Sequence, residues 1–232
     1  MTIFPGRLVG GLAMIVGPLL LLVGTLLRAP YPFFFPDQLA AAGARPELMV
    51  AAYSCFLAGT VLMWPAVLAL AGMIGHTRPV LARWAGCLVI TGLFERTFHA
   101  GVDHLAFQLV AHRGVATATE IVAESYSGFH LFHYLSFTIV FGWCVLAFGT
   151  WRAGVLGPVR ALALALMGLL PLGVLKGTEI VSIIGTAGLC LALLPVGWQL
   201  LASAPRPSRR AVRWSLIAVP SLAALCLVSS LG

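Results

Sequence analysis

The chain has 232 residues, of which 60% are hydrophobic and only 9% charged, with a formal net charge of +7. Ordinary soluble domains carry roughly a quarter charged residues, so this balance excludes water as the solvent around most of the surface. The basic excess does not mark a nucleic-acid binder, because the Arg residues stand singly or in one short cluster between long apolar runs and form no continuous basic face.

A helix that crosses a bilayer needs about 20 mostly apolar residues. Seven segments approach that length, near 8–27, 48–74, 80–102, 127–150, 158–175, 180–202 and 213–230. They predict an all-α, polytopic integral membrane bundle of seven transmembrane helices in a single membrane domain, 1–232. The first run, Leu8 to Leu27, outlasts the apolar core of a signal peptide and has no clean small-residue cleavage site after it, so it reads as a span. After it, Pro30-Tyr-Pro-Phe-Phe-Phe-Pro36 cannot continue a helix, since proline removes a donor and restricts its predecessor. Its aromatics suit a membrane interface. Pro18, Pro65, Pro171, Pro195 and Pro220 fall inside predicted spans, where neighbouring helices can satisfy the freed carbonyls. No proline lies between Leu81 and Leu156, so the third and fourth spans are expected to be the straightest. Cys55, Cys87, Cys144, Cys190 and Cys226 each sit in an apolar run without CxxC spacing, as packing residues would.

Orientation follows from the loops. One set of ends collects Arg7, Arg78, Arg83, Arg152, Arg160, Arg206, Arg209, Arg210 and Arg213 without an acid. The other collects Arg28, Arg45, Arg113 and Lys176 beside Asp37, Glu47, Glu120, Glu124 and Glu179. Basic residues flanking a span resist translocation, so the N-terminus is expected in the cytoplasm, the C-terminus outside, and the chain in the cell membrane. Glu179 suits the N-terminus of the sixth span as a cap, His76 falls in a cytoplasmic turn, and the run Pro205 to Arg210 can touch anionic lipid.

Chemistry has one candidate home. Glu95, His99 and Asp103 recur every fourth residue in the third span, with Arg96 beside them, and at 100° per residue they form one stripe. The fourth span carries Tyr126, His130, His133, Tyr134 and Phe137 on one face. A short link around Arg113 to Thr119 joins the two as an antiparallel hairpin. His99 and His130 lie roughly 20 Å from that link at 1.5 Å per residue, hence at similar depth. Glu95 is then expected near His133, and Asp103 near Tyr126.

Each ionisable group in hydrocarbon costs about 2.5–3.5 kcal/mol, which makes such a cluster a functional candidate. In an acid–base reading, Glu95, His99, Asp103, His130 and His133 are catalytic, a carboxyl in low dielectric holding a proton that His relays. Arg96, Phe98, Tyr126, Tyr134 and Phe137 then bind substrate, among the further aromatics Phe94, Phe107, Phe129, Phe132, Phe141 and Trp143. In a metal reading, His99, His130 and His133 ligate a divalent metal or haem, with Glu95 or Asp103 completing or orienting the set, although no HExxH or paired His box is present. In one structural reading Glu95, Arg96, His99 and Asp103 neutralise one another and fix helix packing; in another, residues 103–126, with Asp103, His104, His112, Glu120 and Glu124, lie outside the bilayer in solvent.

Three functions follow from these readings. The first is a membrane enzyme acting on a lipid, isoprenoid or other apolar small molecule in the external half of the bilayer. The second is a small transporter using the same cluster, which discontinuous helices would favour. The third is a non-catalytic accessory, sensing or self-protection protein. No Walker loop or dinucleotide fingerprint is present.

Overall fold

The computed structural model describes residues 4–125 and 131–205, and within the remainder residues 218, 220, 221, 224 and 225; the side chains of residues 132 and 133 are not described. The architecture is all-α. Helix α1 covers Arg7–Arg28, α2 Phe35–Ala44, α3 Pro46–Gly75, α4 Pro79–Arg113, α5 Val115–Ser125, α6 Phe132–Leu135, α7 Phe137–Arg152, α8 Pro158–Ala165 and α9 Ile180–Ala202. By contact the chain forms two units, residues 1–202 and 203–232. The second is described at residues 203–205, which are non-helical, and at the five scattered positions above, which are helical. Most of the predicted span 213–230 therefore lies outside the described residues, as does Cys226.

Among the described residues three helices, α1, α3 and α9, are long and apolar enough to cross a membrane. They match the runs expected at 8–27, 48–74 and 180–202, and they carry Pro18, Pro65 and Pro195 inside them. Their composition is apolar on both sides. On α1, Leu8, Leu12, Val16, Leu19, Val23 and Leu26 are exposed at helical spacing, while Met14 and Leu21 on the opposite face are buried. A helix in water would turn polar residues to such a surface.

Small residues set how closely these helices approach. A Cβ added at Gly24 of α1 would stand 2.6 Å from the Ala52 carbonyl oxygen of α3, and one at Gly142 of α7 would stand 3.0 Å from the α4 backbone at Leu88. Glycine permits this backbone contact, and dispersion between the two helices is gained along it. Within residues 1–202, α1 packs on α3 and α9, α4 on α3 and α7, and α8 on α7 and α9. A second, smaller core gathers α2, the first turns of α3, α4, α5 and Val174–Leu175 around Leu39, Met49, Phe107 and Val110.

Three expectations change. The predicted third span continues without interruption to Arg113, and the link to the next segment is Gly114 (φ 82°) followed by helix α5, in place of a short loop at 113–119. The fourth, expected to be straight over 127–150, is interrupted at Ser136 between α6 and α7, and 126–130 lie outside the described residues. The fifth departs most. Instead of a helix over 158–175, α8 ends at Ala165, a single 3-10 turn covers Leu166–Leu169, and residues 170–179 are non-helical. Pro171 disfavours the helical conformation at Leu170, which is extended (φ −62°, ψ 134°), and Gly173 (φ 99°) and Leu175 (φ 50°) take the left-handed region. The helical part is about 20 Å long, short of a roughly 30 Å hydrocarbon core.

The four described cysteines are free, and none belongs to the core: Cys55 and Cys190 are half-buried, Cys87 and Cys144 exposed. Their expected packing role is therefore corrected to partly or wholly outward positions.

Candidate functional site

The stripe on α4 faces inward. Glu95 is 0%, His99 8% and Asp103 9% exposed, whereas His104, His112, Glu120 and Glu124 are exposed. Asp103 is thus separated from the solvated group with which the structural reading placed it. Its position, one helical turn beyond His99, keeps it on the face that α4 turns to the bundle.

Three carboxyl and imidazole groups on one stripe meet three different environments. Glu95 Oε1 accepts a hydrogen bond from Ser136 Oγ (2.7 Å) at the α6–α7 break. Sequence register placed Glu95 near His133, about one turn away, and the structure places it against Ser136. His99 Nε2 stands 3.9 Å from the same Glu95 oxygen, close enough for a charge interaction and too long for a hydrogen bond. Asp103 Oδ1 accepts the Leu175 backbone N–H at 2.6 Å. That bond pins a buried leucine in a backbone conformation that costs about 1–3 kcal/mol and persists only where surroundings over-determine it.

The non-helical segment 170–177 is the second wall of the site, and its backbone is satisfied largely by polar side chains from elsewhere. Buried backbone groups need such partners. Arg28 Nη1 donates to the Lys176 carbonyl (3.0 Å) and Arg28 Nε to Gly24 O (3.2 Å). Arg96 Nη1 and Nη2 reach the Pro171 and Leu170 carbonyls, each at 3.4 Å. Gly177 N–H donates to Phe33 O (2.9 Å), and Thr178 Oγ1 to Thr25 O (2.7 Å). At the start of α9 the exposed Glu179 gives its N–H to Ser182 Oγ (3.3 Å), so a capping arrangement is present there.

Between α1, α3, α4 and this segment lies a cavity of about 50 Å3. Arg28, Tyr53, Arg96, His99, Asp103 and Lys176 line it, with Phe56, Thr25 and Ser182. The Arg28 guanidinium lies over the Tyr53 and Phe56 rings, 4.6 and 4.7 Å from their centroids, and Tyr53 Oη donates to Gln38 Oε1 (3.1 Å). Glu95 is not among the lining residues; it stands behind His99, which is. Chemically, the cavity offers an imidazole and a carboxylate one helical turn apart, a carboxylate behind the imidazole, and three cations, Arg96 from the same helix and Arg28 and Lys176 from other segments.

Of the expected substrate contacts, Arg96 lines this cavity. Phe98 (37% exposed), Tyr134 (67%) and Phe137 (49%) turn to the outer face, as do Phe94 and Phe141, while Phe107 and Trp143 are buried in the packing. Phe98 instead borders an apolar pocket of about 230 Å3 between α4 and α5, with Val102, Leu105, Leu109 and Ile121. Tyr126, Phe129 and His130 lie outside the described residues, and so do the side chains of Phe132 and His133. The expected metal set His99, His130 and His133 falls mostly in that category. Among the described residues, no three His, Cys, Asp or Glu side chains gather as a metal site.

Sequence reading missed Arg28, Tyr53, Phe56 and Lys176. Arg28 and Lys176 were counted as loop charges, and 148 positions separate the residues of their contact. No periodicity reports a pairing at that range; the available signal was an Arg and a Lys flanking spans on the same predicted side as the stripe. No protein-family model, curated protein or solved structure matches the chain.

Proposed function

We propose that this chain is a multi-pass protein of the cell membrane with its N-terminus in the cytoplasm, seven spans, and an intramembrane acid–base site acting on a lipid, isoprenoid or other apolar molecule. One observation carries the reading: a carboxyl–imidazole–carboxyl stripe on a long helix is buried and opens, at His99 and Asp103, onto a polar cavity inside an otherwise apolar bundle. His99 exchanges the proton with substrate. Glu95, hydrogen-bonded to Ser136, stands behind it and stabilises the imidazolium form, as a carboxylate behind a catalytic histidine does. Asp103 presents the second carboxylate and holds the opposite wall through Leu175. The nine-to-four excess of basic residues at alternate ends supports the orientation.

The test is to incubate the purified protein in vesicles with an extract of its host's lipids and follow the extract by untargeted mass spectrometry. The wild type is expected to consume one apolar species, and Glu95→Gln and His99→Gln, at unchanged folded yield, to lose at least about 100-fold of that rate, within the range for lost general acid–base catalysis. Equal consumption by wild type and both variants contradicts the reading.

A second reading, a small transporter, is favoured by the break over residues 166–179. Irregular backbone lining a cavity is how discontinuous helices build substrate sites in transporters. It predicts flux of a solute into proteoliposomes without chemical change, lost in Asp103→Asn.

A further inference from the structure

The charge balance in the cavity is uneven. Arg28, Arg96 and Lys176 all line it, and Asp103 is the one carboxylate among its lining residues. Among the described residues none of the three cations is ion-paired. Arg28 is 6% exposed, and Arg96 has its Nε buried without a hydrogen-bond partner. Asp103 in the cavity and Glu95 beside Arg96 supply two negative charges to three cations, so one positive charge is left over, and burying a cation is costly where its charge is not matched.

Satisfying the 170–177 backbone explains some of this, and not all of it. Arg28 uses Nε and Nη1 on carbonyls, and its guanidinium lies over the Tyr53 ring beside the cavity. Both Arg96 contacts, at 3.4 Å, lie beyond the usual 2.7–3.2 Å range, so that guanidinium is held loosely and retains donors. Lys176 Nζ rests 5.3 Å above the Phe33 ring, with no carboxylate beside it. A cavity of about 50 Å3 has room for roughly four water-sized groups. A tetrahedral oxyanion brings four oxygens, and guanidinium forks match phosphate geometry.

We propose that Arg28, Arg96 and Lys176 form a binding site for a phosphate group, either free phosphate or the phosphomonoester head of an apolar chain. The inference rests on the acid–base reading above and deepens it, since it makes the substrate of that site an apolar molecule ending in phosphate, placed with its head beside His99 and Asp103.

The test uses the full-length protein in detergent micelles and reads its thermal midpoint by intrinsic fluorescence. Inorganic phosphate is titrated at constant ionic strength with chloride as balance, and in separate arms dioleoyl phosphatidate is compared with dioleoyl glycerol. A saturable upward shift with phosphate or phosphatidate, absent with chloride and dioleoyl glycerol, is expected. A response to free phosphate identifies the free ion as sufficient; a response to phosphatidate alone identifies the lipid head. In Arg96→Gln and Lys176→Gln the half-effect concentration is expected to rise at least about tenfold, Arg96→Lys to recover part of the loss, and Arg160→Gln, whose Arg160 bonds the Ala192 carbonyl away from the cavity, to respond as wild type. Should Arg96→Gln fail to fold, Lys176→Gln and Arg96→Lys carry the comparison. The proposal is overturned if no phosphate-bearing ligand gives a saturable shift, or if Lys176→Gln and the Arg96 variants respond like wild type. Glu95→Gln separates the two ideas, because it is expected to lose turnover and keep the phosphate response. Turnover without a phosphate response defeats the phosphate site alone, and a phosphate response without turnover defeats the acid–base chemistry alone.

Discussion

Asp103 shows how one side chain can serve both architecture and chemistry. Its Oδ1 holds the Leu175 N–H, and Leu175 is fully buried in a left-handed backbone conformation. A hydrogen bond to a charged group contributes about 1.5–3 kcal/mol, so Asp103→Asn is expected to lower stability by about 2 kcal/mol. The loss should be local. Amide hydrogen exchange is expected to be slow at Leu175 in the wild type and markedly faster in the variant, while α1 and α9 exchange as before; an unchanged Leu175 rate would show that the bond does not hold the segment. The stripe itself was legible in the sequence, because a spacing of four residues on a helix fixes a common face wherever the helix ends. Which side chains face it was not, since Arg28 and Lys176 come from distant segments and nothing local in either predicts their approach.

At the scale of elements, α1, α3 and α9 could be read from composition because each is a long apolar run whose single internal proline a neighbouring helix tolerates. Pro171 looked the same and behaves differently. Local propensity does not distinguish it, since Gly17 adjoins Pro18 and Gly197 lies two residues after Pro195 in unbroken helices; what differs is that the 170–177 backbone finds polar partners in Arg28, Arg96 and Asp103. The extension of α4 to Arg113 was hidden for the opposite reason: its last turns are polar enough to look like a loop while packing Ala106, Phe107 and Val110 into the second core. Close helix crossings give a sharp test. Gly24→Val places side-chain atoms against the Ala52 carbonyl and is expected to cost about 1–3 kcal/mol, whereas Gly101→Ala, with open space around it, is expected to be neutral or to gain up to about 1 kcal/mol. Thermal midpoints of the two variants check the pair; equal behaviour would contradict the α1–α3 crossing.

For the whole molecule, a surface apolar at both buried and outward positions points to a lipid environment, and the distribution of Arg and Lys proposes how the chain lies in it. Single cysteines introduced at Arg78 and Arg152 in a cysteine-free background are expected to label with an impermeant thiol reagent only after the cytoplasmic side is opened, and one at Arg113 in intact cells. The reverse pattern would invert the orientation.

The account stands on a polar cavity that His99 lines with Glu95 behind it, open to water. Solid-state NMR of the protein in bilayers with 15N-labelled histidine, with His99 identified by its loss in His99→Gln, measures this directly by water-to-imidazole magnetisation transfer. The account predicts strong transfer to His99 and a shift of its ring nitrogens in Glu95→Gln. A dry His99 whose ring nitrogens ignore that substitution would contradict it.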